Sequence, residues 1–398
     1  MTPNPSPDLG LLASLPQGPE YFVRACVQLG LVIFSRVPIA PCPICASGRA
    51  YVPLSRVGKS MCFRQSLCAL WLALSLPLVA HALDRTQLAV VVNTLDPLSV
   101  QIGDYYAAKR RIPFQNMIKV SFAPGNSVLN QSQFEEIKLQ VDRQSRASIQ
   151  AYALTWVAPY RVDCMSITAA FAFGFDTAFC AEPCKLTRVS PYFNSPVRLP
   201  FTQLGIRPTM SIAAASFDDA KALIDRGVRS DGRFPIGTAY LLSTSDTARN
   251  VRSQFYPLIE ALFNKRLNVR RLDQDALRDK SNVLFYFTGK ENVDGLETLH
   301  FVPGAIADHL TSAGGALTEG GQMSALRWLE AGVTASYGTV IEPCNFPQKF
   351  PHPAVVIGHY LEGETVIESY WKSVNMPGQG IFIGEPLASP FAPVRGSR

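Results

Sequence analysis

Several common chemical signatures are missing from the 398 residues. There is no G-x-x-x-x-G-K-[ST] phosphate loop, no G-x-G-x-x-G after the first strand-like run and no H-E-x-x-H helix, so nucleotide, dinucleotide and zinc-protease chemistry lose their usual marks. Residues 83–398 carry no internal repeat and no low-complexity tract. No Cys falls between residues 185 and 343. The apolar run Ser66 to Ala80 falls short of the ~20 residues that a membrane-spanning helix needs.

That run has a different use. Met61-Cys62-Phe63-Arg64 supplies a short positively charged start, Ser66 to Ala80 has no charged side chain, and Ala80-His81-Ala82 gives the small-x-small pattern that signal peptidase reads. The order predicts a signal peptide at 61–82 and a mature N-terminus at Leu83. No Cys follows the cleavage pattern, which disfavours a lipoprotein. Residues 1–60, rich in Pro, Cys, Ser and Arg without helical or strand period, read as an extension that takes no part in the working protein. Cys42-Pro43-Ile44-Cys45 lies in it, a lone C-x-x-C with no partner pair.

Removing residues 1–82 takes away six basic and two acidic side chains, so the formal charge falls from +6 to +2. Nucleic-acid binding thereby loses its compositional support. Four of the nine Cys remain: Cys164, Cys180, Cys184 and Cys344. In an oxidising compartment, periplasmic or extracellular, an even set of four forms two disulfides with three possible connectivities. Cys180 and Cys184 are close enough in sequence to pair, which leaves Cys164 for Cys344. Zinc is the weaker alternative, because C-x3-C without a nearby His matches structural sites poorly. No cofactor is implied.

Along residues 83–398, strand-like runs at Leu88–Val92, Met117–Phe122, Ile149–Trp156, Ala239–Ser243, Val283–Phe287, Val333–Ile341 and Gly380–Ile383 alternate with helical stretches. Those lie at Ser99–Arg110, Ser132–Arg146, Asp218–Arg226, Ala248–Asn264, Ala305–Ala313, Gln322–Ala331 and Glu364–Val374. The alternation predicts an α/β domain, a mostly parallel sheet with helices on both faces. A Cys-containing insertion at about 160–210 breaks the rhythm and is expected over the sheet edge. Its aromatics serve either core packing or a ligand platform.

Candidate chemistry concentrates in the last third. Pro303-Gly304 reads as a turn into a helix, on which His309 and Ser312 would share a face. The strand Val333 to Ile341 runs into Glu342-Pro343-Cys344, placing an acid and a thiol past a strand end, where α/β sheets bind ligands. His300 or His309 as base, with Cys344 as nucleophile and Glu342 in support, would make a hydrolase. Against this, Glu342 raises a neighbouring thiol pKa and little nearby lowers it, which makes Cys344 a disulfide half instead.

The blocks Pro303-Gly304-Ala305-Ile306-Ala307-x-His309, Ala331-Gly332-Val333-Thr334-Ala335-Ser336-Tyr337-Gly338 with Glu342-Pro343, Leu361-x-Gly363-Glu364-Thr365 with Glu368-x-Tyr370-Trp371, and Gly384-Glu385-Pro386-Leu387-x-x-Pro390-Phe391 carry a resemblance. In that order they resemble an uncharacterised family of exported bacterial proteins. The ending G-[DE]-P-L-x-x-P more distantly resembles gingipain-type cysteine peptidases, which implies a caspase-like fold. Those enzymes carry His-Gly at one strand end and Cys at the next, where this chain has Thr288-Gly289 and no Cys. The resemblance therefore implies a fold rather than a reaction. Three functions stay open: a non-catalytic caspase-like binding or assembly domain with a protein or peptide partner, a cysteine-peptidase-like hydrolase, and a structural envelope protein.

Overall fold

Hydrophobic runs too short for helices pair into one large sheet, and the amphipathic stretches between them cover it. A computed structural model describes residues 82–393 apart from residue 183; the extension, nearly all of the expected signal peptide and the Cys42–Cys45 pair lie outside the described residues. In chain order the elements are β1 (Leu88–Asn93), α1 (Pro97–Arg110), β2 (Met117–Val120), β3 (Val128–Leu129), α2 (Gln131–Gln144), β4 (Ala151–Leu154), β5 (Arg161–Val162), β6 (Met165–Ser166), α3 (Ile167–Phe173), α4 (Pro200–Leu204) and β7 (Thr209–Ser211). Then follow α5 (Phe217–Ser230), β8 (Thr238–Ser243), α6 (Tyr256–Phe263), β9 (Asn268–Asp273), β10 (Lys280–Gly289), β11 (Leu299–Leu310), α7 (Leu326–Glu330), β12 (Ala335–Thr339), α8 (Pro353–Leu361), α9 (Val366–Ser373) and β13 (Gly380–Gly384).

Ten strands form one sheet in the order β2-β1-β4-β7-β13-β12-β11-β10-β8-β9, and β3, β5 and β6 form a small second one. The large sheet is mostly parallel: β1 pairs with β2 and β4, β4 with β7, β8 with β9 and β10, and β11 with β10 and β12, all in parallel. Against β12, β13 is reversed, pairing Ala335 with Gly384 and Thr339 with Gly380.

Alternation along β10 shows that both faces are covered. Phe285 packs edge-on against Tyr360 of α8, and Tyr256 of α6 donates its hydroxyl to Phe287 O, whereas Tyr286 points to the other face and meets Trp328 of α7. All three β10 aromatics are buried, each contributing on the order of 1.5–3 kcal/mol. Local signals start the helices: Asp96 caps α1 with Pro97 in its first turn, Asn130 and Gln133 make a capping box for α2, and Thr365 and Glu368 make one for α9.

Four sequence expectations change. Ala305–Leu310 is the inner half of β11 and Thr311–Ala313 the loop after it, because a strand buried on both faces reads as an unbroken apolar run. Pro303-Gly304 lies within that strand at a bulge, where the four residues between Phe301 and Ile306 lie opposite the single Leu284 between Val283 and Phe285; Gly304 takes a φ of +91° there. The expected helix Gln322–Ala331 shortens to Leu326–Glu330, and Pro353–Leu361 forms a helix that the periodicity did not single out. The 160–210 segment lies across the sheet's middle rather than its edge: it contains α3 and β7, and Ser166 donates to Gly380 O. Its aromatics are core, with Phe173 stacked on Phe179 and tilted against Trp371.

Candidate functional site

The carboxyl ends of β8, β10, β11 and β12 and the loops that follow them form a polar crest. Arg249 sits at its centre. Its Nε donates to Thr311 Oγ1 (3.1 Å), Nη1 pairs with Asp246 (2.9 Å) and Nη2 with Glu291 (3.4 Å). Thr311 Oγ1 in turn donates to Gln322 Oε1 (2.8 Å), which also accepts the Ala313 amide. Thr339 ties the end of β12 to Thr311 O and Ser312 O. Where the peptidase pattern has His-Gly, Thr288 is buried, and Gly289 packs so tightly under the Arg249 carbonyl that a Cβ would overlap it. That strand end is closed.

His309 is at the end of β11, 1% exposed. Its Nδ1 accepts the Trp328 indole N–H (2.9 Å), so the proton is on Nε2, which donates to Met323 O (3.1 Å). Burial pulls its pKa down to about 3, against the Met323 hydrogen bond, which favours the charged form. A ring with both nitrogens committed and no access has no lone pair for a nucleophile's proton. No helical turn aligns Ser312 with it: His309 is in β11, and Ser312 lies in the loop beyond the strand's end at Leu310. His300 is exposed near the start of β11, at the other end of the sheet from Glu342 and Cys344.

Cys344 is disulfide-bonded to Cys184 (Cα–Cα 5.8 Å) and Cys164 to Cys180 (5.3 Å). The connectivity corrects the expected Cys180–Cys184 and Cys164–Cys344 pairs, and hydrogen bonds explain it. The Gln379 amide donates to both Cys164 O and Phe179 O, holding those two loops side by side. The buried Lys349 ammonium donates to Lys185 O (2.6 Å) and Pro343 O (2.7 Å), which does the same for Cys184 and Cys344. Burial lowers the Lys349 pKa to about 8 although Glu342 opposes the shift. Glu342 is exposed, and its Oε1 accepts the Cys344 amide (2.7 Å), closing the turn in which Cys344 has a φ of +60°.

The chain finds no match among known protein families, curated proteins or solved structures.

Two buried charge clusters escaped the sequence reading. Arg252 pairs with Asp308 beneath the crest. Farther away, Glu364 Oε1 accepts from Lys372 (2.8 Å), Arg198 (2.8 Å) and His359 (3.1 Å), beside a fully buried Glu368. A signal was there: Glu368 and Lys372 are four residues apart, hence on one helical face, Glu364 lies just ahead of that helix, and Thr365-x-x-Glu368 is a capping-box pattern. Among the described residues no group of three or more His, Cys, Asp or Glu is placed to hold a metal ion, and no helix is long and apolar enough to cross a membrane. Two open hollows of about 540 and 510 Å³ lie elsewhere, one lined by Tyr240, Arg270, Leu272 and Lys280, the other by Lys138, Asp142, Phe171 and Arg207. Neither includes His300, His309, Glu342 or Cys344.

Proposed function

We propose that the chain is an exported, non-catalytic domain of caspase-like type that binds a protein or peptide partner across the crest. One observation carries the reading: at the strand ends where such a fold does its chemistry, the His309 ring has both nitrogens hydrogen-bonded inside the core and the Cys344 sulfur is in a disulfide. Exchangeable groups remain at the surface, chiefly Asp246, Glu291, Asp275 and Glu342 with Arg249 and Lys290. They suit reversible recognition, in which rim charges steer and select rather than react. The disulfides and the export-type leader support a destination outside the cytoplasm.

The test has two arms on the exported, non-reduced protein. A thiol reagent and a panel of peptide substrates should give neither labelling nor turnover. Cross-linking in the native compartment should capture a partner that Glu291→Lys with Glu342→Lys abolishes while the fold persists. Stoichiometric modification of Cys344 with loss of a hydrolase activity would overturn the proposal.

A further inference from the structure

The chain enters its core at the residue where the leader should end. Leu83 is 4% exposed and Ala82 half-buried, and the Leu83 backbone N–H donates to Glu368 Oε2 at 3.1 Å in a buried contact. The same oxygen accepts the Thr365 amide (3.0 Å) and hydroxyl (2.6 Å), whereas Oε1 is buried with no partner. Both neighbouring cations, Lys372 and Arg198, bond Glu364, and among the described residues no cation pairs with Glu368. The Tyr192 hydroxyl nearby is buried and unpaired as well.

This arrangement is incomplete in either protonation state. An ionised Glu368 is a buried charge that takes three donors on Oε2 but has no cation paired with it, which costs several kcal/mol. A protonated one puts its proton where nothing accepts it or on the oxygen that already receives three donors. Burial and the Glu364 charge push the carboxyl toward the neutral form. A cation arriving at Leu83 N would remove the conflict, and cleavage makes one.

We propose that Glu368 is the receptor for the new α-ammonium that processing creates at Leu83, so that removal of the leader completes a buried ion pair and locks the segment leading into β1 onto α9. The inference rests on the export reading for the position of the cut. A signal-peptidase-class hydrolase adds water across the Ala82–Leu83 amide. The C–N bond breaks, Ala82 leaves as a carboxylate, and the amine takes up a proton. One amide N–H becomes three N–H donors, enough to keep the Oε2 contact and supply the empty Oε1. The processing event thereby becomes a folding checkpoint: the unprocessed chain carries the buried carboxylate without its counter-charge.

The experiment compares protein released with a native Leu83 amine by a tag-removing protease with protein that keeps Ala82, each with Glu368 or Glu368→Gln. The Leu83-start protein should melt ~5 °C or more above the Ala82-start protein in the Glu368 background, and the gap should close with Gln. In the Leu83-start protein the α-amine should resist acylation by an N-hydroxysuccinimide ester at neutral pH. Equal melting of the two forms with Glu368 present, or ready acylation of the Leu83 amine in the folded protein, overturns the capture. If Glu368→Gln does not fold, the comparison of the two starts and the acylation still decide. Mass spectrometry of the exported chain reads the export premise separately: an N-terminus other than Leu83 removes the physiological setting while leaving the capture result to stand on its own.

Discussion

Arg252 and Asp308 form an ion pair at 2.5 Å with side chains 2% and 1% exposed. The guanidinium also donates to Thr288 O (2.8 Å) and Pro351 O (3.3 Å), and the Tyr370 hydroxyl donates to the other Asp308 oxygen (3.3 Å). The pair thus joins β10, β11, α9 and the segment before α8. Arg252→Met should cost about 3–5 kcal/mol because it leaves Asp308 buried and uncompensated, and Arg252→Met with Asp308→Leu should recover much of the loss. Denaturant midpoints check this; a single variant within ~1 kcal/mol of the parent would assign the stability to packing alone.

Acid should weaken the domain before any carboxylate is invoked. Burial lowers the pKa of His309 to about 3 and that of His352, packed on the Phe255 ring, to about 4, with the charge of Arg252 adding to both shifts. Both rings stay neutral in the folded chain, while the unfolded chain binds protons below ~6.5. Their contribution is present above that pH and is lost as pH falls from 6.5 toward 3 to 4, since the unfolded state then binds more protons. Melting temperature against pH should fall over this window, and His352→Phe should flatten the slope. An unchanged slope would show that His352 is charged in the fold.

How much was legible follows from which signals are local. The strands at 88, 239, 283 and 380 announce themselves as short apolar runs and the helices at 99, 132 and 218 by period and caps, and the structure keeps them within a few residues. Ala305–Ala313 failed because a strand buried on both sides has no alternation to show, and a Pro-Gly bulge mimics a helix start. At the crest, Glu342 and Cys344 were placed correctly at a strand end, but the partner of Cys344 depends on Lys349 and Gln379, whose long-range bonds no spacing reveals. The carboxylate at 368 was read only as part of a recurring block; the capping box and its burial beside Leu83 come from the structure.

Backbone proximity sets a strict limit beside the crest. Gly315 donates to Thr339 O (2.9 Å), and a Cβ on Gly338 would run into the backbone of Gly314 and Gly315. Gly338→Ala therefore has no flexible side chain to displace and should cost ~3 kcal/mol or more, at the upper end of overpacking effects. Gly321→Ala, with nothing within reach of its Cβ, is the matched control and should be near neutral. Equal effects would mean that the loop after β11 yields freely.

The two disulfides should differ in worth. Cys184–Cys344 closes a separation of 160 residues and Cys164–Cys180 one of 16. In the chain-entropy account the long closure contributes about 5 kcal/mol and the short one about 3, so Cys184→Ser with Cys344→Ser should be the more destabilising pair. Lys349 acts beside the long disulfide, because its ammonium holds Lys185 O and Pro343 O together with or without the sulfurs and so keeps the native loops aligned. That bond acts on the folded state, whereas the disulfide restricts the unfolded one, and the two effects should add. Lys349→Met in the serine background should then cost a further 1–3 kcal/mol, the usual penalty for buried acceptors left unmade. Urea denaturation of the two serine pairs and of the triple variant reads all three numbers. A Cys164–Cys180 deletion that costs more than the Cys184–Cys344 deletion would show that the short loop is held by native contacts that its disulfide makes possible, and the entropic ranking would fail.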